Sequence, residues 1–261
     1  MAETSGEKPV VTLYWLNGSR AQRIVWLLEE CKDIDYKIEV FKRGEDKFAP
    51  KELKEVHPLG KSPLIKVQAS GMKPLIIAET GAIIEYLTEH FATHLIPKRY
   101  QDGMEGKVGG ETEQWLRYRF YSHYVEGSLM TPLILSMFMD GKLDLQSIRN
   151  APVPFFIKPI TRSIANNVDS AFLNKEFKTH FSFLESQLKS SPDGGQYLCG
   201  KDLTAVDIFI SFPLIAGKSK VDANAYPTLT AYTKLLEGNE VLQRSIKKIE
   251  DLTGEPYKVA P

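Results

Sequence analysis

The chain has 261 residues, with 33 lysines and arginines against 33 aspartates and glutamates. This length suits one or two domains and buries a large core, about three-quarters of the unfolded surface. Zero formal net charge argues against a general pull toward nucleic acid or an anionic bilayer, while two distant cysteines, Cys31 and Cys199, exclude a disulfide scaffold. No His/Cys spacing fits a metal site, so none is expected. The cysteine usage points to a reducing, cytoplasmic setting. The opening "MAETSGEKP" is polar and reads as a loose tail (residues 1–9), not a secretory signal. No run approaches the ~18 apolar residues of a membrane span, which leaves peripheral membrane association open.

"VVTLYWL" is a β-branched and aromatic run and reads as a strand. From Ser19 the period changes, and Ala21, Ile24, Val25, Leu27 and Leu28 predict a helix to about Lys32. "YKIEVFK" alternates as a second strand, giving a βαβ unit with parallel pairing. A polar stretch broken by Pro50, Pro58 and Gly60 reads as a loop with a short helix. "SPLIKV" and "KPLIIAE" form a hairpin turning at Gly71, and "ETGAIIEYLTEHF" a helix with Ile83, Ile84, Leu87 and Phe91 on one face. These elements make a compact α/β domain over residues 10–92.

Residues 93–109 are glycine-rich and read as a linker. Beyond them no strand-period segment of length remains, so residues 110–250 are expected to be all-α, with a tail over 251–261. "ETEQWLRYRFYSHYVEGSLMTPLILSMFMD" is one long helical stretch. A proline-rich break, "NAPVPFFIKP", a helical region from Ile160 to Lys189 and two further helical runs follow.

Three groups of residues carry chemistry, all in the first domain. Gly18–Ser19 stands where a strand feeds a helix. A helix mouth holds unpaired N–H groups and favours an anion, including a thiolate, and a hydroxyl aimed at the sulfur would add a hydrogen bond. The plainer alternative is that Ser19 is an N-cap. In "HPLGKSPLIKV", a cis Ser62–Pro63 bond would present the Ser62 backbone to an extended peptide; an ordinary edge proline is the alternative. In "IAETGAIIEYL", Glu79 suits an ammonium, and Thr80 with the helix terminus a carboxylate, as in an amino-acid head group; a threonine-capped acidic first turn is the alternative.

With these motifs in this order, the chain resembles a cytosolic-type glutathione S-transferase, of a fungal serine type. The resemblance runs from Val11 to about Ile249. It is carried by "LNGSRAQRIVWLLEE", "HPLGKSPLI", "AETGAIIEYL", "YVEGSLMTPL" and "YLCGKDLTAVDIFISFPL", the last with a capping box of Thr204 and Asp207. It implies a thioredoxin-like domain, an all-α domain, a homodimer, and glutathione as cosubstrate with no tightly bound cofactor. By carry-over Ser19 stabilises the glutathione thiolate, with Arg20 as a rival electrostatic support. Ser62 binds the cysteinyl backbone, held by Pro63. Glu79 and Thr80 hold the γ-glutamyl group, and Lys61 meets the glycyl carboxylate. His57 is a weaker candidate that could only shape its loop, and Lys47 is weaker still. Tyr14 is expected in the core.

Tyr118, Tyr121 and Tyr124, with Trp115, are candidates for the wall of an apolar electrophile pocket between the domains; aromatics at this spacing also suit an interdomain core. The implied activity is conjugation of glutathione to hydrophobic electrophiles, with reduction of organic hydroperoxides as an added activity. Two other readings stay open: a glutathione-binding regulatory module with little catalysis, and a Cys-dependent thiol oxidoreductase. The second lacks a cysteine at position 19, and both cysteines read as structural.

Overall fold

The computed structural model describes residues 7–46, 48–139 and 172–259. The proline-rich break, Lys47 and the helical expectation over 160–171 lie outside them. Strand β1 (Val10–Leu16), helix α1 (Gln22–Glu30) and β2 (Asp35–Phe41) form the expected βαβ unit, with β1 and β2 parallel. Helix α2 (Leu53–Val56) is one turn in the polar loop. Strands β3 (Leu64–Gln68) and β4 (Leu75–Ala78) pair antiparallel, and helix α3 (Thr80–Phe91) follows. The sheet order is β2-β1-β3-β4, which makes β1 a central strand and explains its near-continuous burial.

The register explains how distant motifs meet. Leu64 pairs with Ala78, so Ser62–Pro63 and Glu79–Thr80 leave the β3–β4 hairpin side by side. Tyr14 pairs with Leu64, so β1 delivers its own turn, with Ser19, to the same end of the sheet.

The helical domain follows the connection. Helix α4 (Glu113–Tyr124) is capped by Thr112, whose hydroxyl accepts from the Trp115 N–H at 3.1 Å. The long helical stretch is not uniform: a π-turn (Val125–Leu129) separates α4 from α5 (Met130–Met139). Helices α6 (Asn174–Lys189), α7 (Ala205–Ala216), α8 (Pro227–Glu237) and α9 (Glu240–Thr253) complete the described part. After the "SPDGG" turn there are thus three helices, not two. Periodicity blurs them because α7 is buried on all sides, and Pro227 and Asn239 are the signals that open α8 and α9. Helix α9 runs past residue 250, and the segment after it packs back, with Tyr257 against the main core and Val259 against Met130, Leu133, Met137 and Phe212. Beyond Ala78 the described residues hold only isolated β-bridges.

The α7 start is a buried polar knot. The fully buried Asp207 carboxylate accepts from Leu198 N–H (3.1 Å), Thr204 N–H (2.8 Å), Thr204 Oγ1 (2.7 Å) and the Tyr232 hydroxyl (2.6 Å). The capping pair expected from spacing is present, extended by a tyrosine from α8. Removing this carboxylate strands several buried donors, each costing about 1–3 kcal/mol. Asp207→Ala is therefore expected to cost about 3 kcal/mol or more, a melting-temperature fall of roughly 6–12 °C by calorimetry; a fall below about 2 °C would show the knot to be dispensable.

Candidate active site

Ser19 is not a helix N-cap. Helix α1 begins at Gln22, and Ala21 stands at its cap with no side-chain bond. The Ser19 hydroxyl instead closes the turn before the helix. It donates to the Leu16 carbonyl at 2.7 Å and accepts from the Ala21 N–H at 3.2 Å. Gly18, at φ +56°, lets the chain reverse here. Arg43 holds the turn from outside, its Nε donating to the Asn17 carbonyl (3.0 Å) and its Nη2 to the Gly18 carbonyl (3.2 Å).

A cleft of about 340 Å³ opens at this turn, with Ser19, Arg20, Arg43, Lys61 and Ser62 on one side. The Ser62–Pro63 bond is cis, and Ser62 Oγ donates to the Tyr14 carbonyl at 2.9 Å. Tyr14 packs in a small core with Leu16, Leu53 and Leu64, as expected. The opposite wall is apolar and comes from the helical domain: Met130, Ile134 and Met137 of α5 and Phe212 of α7.

Glu79 sits at the mouth of α3 with φ +71° and ψ +125°, a conformation a glutamate adopts at a cost of about 1–3 kcal/mol. It is exposed, whereas Thr80 behind it is buried. Backbone strain of this kind clusters at ligand sites, and here it falls on an exposed charged residue. His57 shapes its loop: Nδ1 accepts from the Leu59 N–H (3.3 Å) and its carbonyl from the Gly60 N–H (2.8 Å).

Tyr118, Tyr121 and Tyr124 are elsewhere. All three are buried in the main core, and none lines the cleft. Burial raises their hydroxyls, that of Tyr118 to about 12, so none is a proton source near neutrality. The Tyr124 hydroxyl is shared with His180 Nδ1 at 2.7 Å. Their helical spacing points into the interdomain core, and the cleft wall begins one helix later.

Glu126, in the π-turn, is the functional residue that motif reading missed. One oxygen binds Arg20 Nη1 at 2.5 Å; the other binds Arg23 Nη2. Arg23 is fully buried, and its Nη1 donates to the Phe209 carbonyl at 2.7 Å. Desolvation lowers Arg23 to about 10, partly offset by Glu126, so it stays charged at neutral pH. The signal in sequence was a glycine directly after Glu126 in the middle of a helical pattern.

The family model of the glutathione S-transferase N-terminal domain matches residues 9–89, and that of the C-terminal domain residues 152–248. Glutathione S-transferase 1 of Saccharomyces cerevisiae is 33% identical over 249 residues, covering 94% of this chain and 97% of its own. The chain belongs to the glutathione S-transferase family. Glutathione S-transferase 3 of Schizosaccharomyces pombe is 25% identical, over 94% of this chain and 90% of its own. A solved glutathione S-transferase from Actinobacillus pleuropneumoniae, 26% identical, covers 95% of each chain with a TM-score of 0.59. A glutathione transferase homolog from Lodderomyces elongisporus, solved with two GSH per subunit, shares the fold at 17% identity and a TM-score of 0.63, over 91% of this chain and 98% of its own.

Neither cysteine is placed for chemistry. Cys31 ends α1, and burial pushes its thiol up to about 12; Cys199 is buried and raised further, with Asp207 adding to the burial effect. Both are therefore protonated at neutral pH. A thiol-exchange reagent at pH 7.5 is expected to leave both unmodified in the native protein and to label both after unfolding. Rapid native labelling of either would reopen the thiol oxidoreductase reading.

Proposed function

We propose that this transferase binds glutathione along the end of the β1–β3–β4 edge and keeps its sulfur ionised at Ser19. The thiolate then attacks a hydrophobic electrophile held in the cleft. The observation that carries this is the cleft itself: Ser19 and Ser62 on one wall, Met130, Ile134, Met137 and Phe212 on the other. A polar side that suits a peptide thus faces an apolar side that suits a partner of low polarity, and the two reactants meet in a fixed geometry.

Roles follow from chemistry at each position. The Ser62 backbone, beside cis-Pro63, pairs with the cysteinyl main chain as an added strand would. Glu79 takes the γ-glutamyl ammonium, and the start of α3 with Thr80 takes its carboxylate. Lys61, exposed on the cleft rim, meets the glycyl carboxylate. His57 holds the loop that presents Lys61. Arg20 supports the anion less than its charge suggests, because Glu126 already neutralises it. Reduction of hydroperoxides would use the same thiolate with a different acceptor. Cosubstrate, electrophile, a homodimeric assembly and a cytoplasmic setting all belong to this proposal.

Ser19→Ala removes a hydrogen bond to the anion, which is worth about 1.5–3 kcal/mol when charged. Because Ser19 gives up its bond to the Leu16 carbonyl to make this one, the net is about 1 kcal/mol, and turnover is expected to fall roughly fivefold with glutathione affinity little changed. The sign in pH follows: losing a donor to the thiolate raises the bound thiol toward its free value of about 8.5. The ultraviolet thiolate signal of bound glutathione should therefore titrate up to about one pH unit higher in the variant, and the activity profile should move with it. An unmoved profile would pass the role to Arg20.

Glu79→Gln keeps the shape of the side chain and removes its charge. Glutathione binding by calorimetry is expected to weaken roughly 10-fold, the loss of a charge-assisted bond. Equal affinity would refute the ammonium contact.

A further inference from the structure

Glu126 serves two arginines with one carboxylate, and the division leaves a buried donor unpaired. Its Oε1 accepts from Nη2 of the fully buried Arg23. Its Oε2 accepts at 2.5 Å from Nη1 of Arg20, which lines the cleft next to Ser19. Arg23 Nη1 donates to the Phe209 carbonyl at 2.7 Å. The remaining nitrogen, Arg23 Nε, is buried and has no hydrogen-bond partner among the described residues. In a guanidinium, Nε–H and one Nη2–H point the same way from one edge, and a carboxylate can take both as a fork. Glu126 already sits on that edge through Oε1. A carboxylate that only held the domain interface would turn Oε2 to Nε and complete the fork. Instead Oε2 goes to Arg20, and the unpaired Nε–H costs stability.

We propose that Glu126 is a positioning residue with two arrangements. Before the thiolate forms, it bridges the two arginines and holds back the charge of Arg20. Once the thiolate forms, Arg20 turns to the sulfur and the released Oε2 closes on Arg23 Nε. The bond given up to Arg20 is replaced by one inside the protein, so Arg20 is freed at little net cost. Among the described residues, Arg20 and Arg23 are the charged groups bonded to this carboxylate. Arg43 and Lys61 are the other cations on the cleft wall, and the Tyr257 hydroxyl near Arg23 is kept protonated by burial. This inference rests on the proposed glutathione reaction and concerns how that site is regulated.

The probes are glutathione and S-methyl glutathione, which has no ionisable thiol, each added at saturation to the isotope-labelled full chain. At a pH where bound glutathione is a thiolate, it is expected to move the Arg23 Nε–H proton downfield by NMR, as a new bond to a carboxylate does. S-methyl glutathione should leave that proton in place. Movement with both ligands, or with neither, overturns the two arrangements. The ultraviolet thiolate titration is the second measurement. Glu126→Gln removes the charge that restrains Arg20, so bound glutathione should titrate roughly half to one pH unit lower. Arg20→Gln removes the cation and leaves the carboxylate, so the titration should move up by a similar amount, and the double variant should return close to the unaltered protein. A carboxylate with a structural role alone would lower the melting temperature and leave the titration unmoved, which overturns the proposal. Should Glu126→Gln fail to fold, the NMR comparison on the unaltered protein decides. Failure of both ligands to bind would instead overturn the underlying glutathione reading, and this inference with it.

Discussion

One buried cation ties the molecule together. Arg23 projects from the thioredoxin-like domain into the helical domain and is fully desolvated there. A buried guanidinium is tolerated only where it is paired and hydrogen-bonded, and removing one partner typically costs about 3–5 kcal/mol. Its partners are the Phe209 carbonyl inside α7 and the Glu126 carboxylate in the π-turn, so a single side chain fixes α1 against two helices of the other domain. The rings of Phe209 and Phe212 lie 4.7 and 5.5 Å from its charge and close the site to water. The width of the cleft follows from this clamp, because Phe212 and α5 form its far wall and α1 follows directly on its near one.

The π-turn is what makes the clamp possible. An uninterrupted α-helix from Glu113 to Met139 would set every carboxylate on the 3.6-residue period. The extra residue at Val125–Leu129 shifts that period locally, as π-turns at functional sites do. Glu126 then divides its two oxygens between Arg23, buried, and Arg20, 40% exposed at the cleft. The buried arginine and the arginine at the cleft therefore share one counter-ion. Any change that draws Arg20 toward a bound anion also loosens its hold on that carboxylate, which links cleft chemistry to the domain interface.

How much of this was legible in the sequence depends on what each feature rests upon. The βαβ-ββα order was readable because strand and helix periods differ and glycine and proline mark the turns; "VVTLYWL" and "GAIIEYL" carry it almost alone. The capping pair Thr204–Asp207 was readable because it is local. The tyrosines of α4 show the limit of periodicity: a spacing of three says that they share a face, not what the face meets. The start of α1 was misplaced because Ser19 has cap chemistry, yet its hydroxyl bonds backward to Leu16. The Glu126 bridge depends on contacts between residues about a hundred positions apart, which no local pattern encodes.

The same contacts limit what Ser19 can contribute. In the structure its proton is given to the Leu16 carbonyl, a neutral hydrogen bond worth about 0.5–1.5 kcal/mol, while a thiolate would accept it in a charge-assisted bond worth about 1.5–3 kcal/mol. Only the difference, about 1 kcal/mol, is available to lower the thiol, which amounts to about one pH unit at 1.36 kcal/mol each. Holding a thiol of about 8.5 mostly ionised at neutral pH takes more than that. Beyond what Arg20 supplies, the remainder must come from fixed dipoles at the mouth of α1 and from a peptide held still beside them, neither of which reorganises during reaction. Arg43 and Gly18 contribute to that stillness by bracing the turn that carries Ser19. Arg43 occupies the Asn17 and Gly18 carbonyls, so these acceptors are satisfied within the turn and not by donors an anion would need.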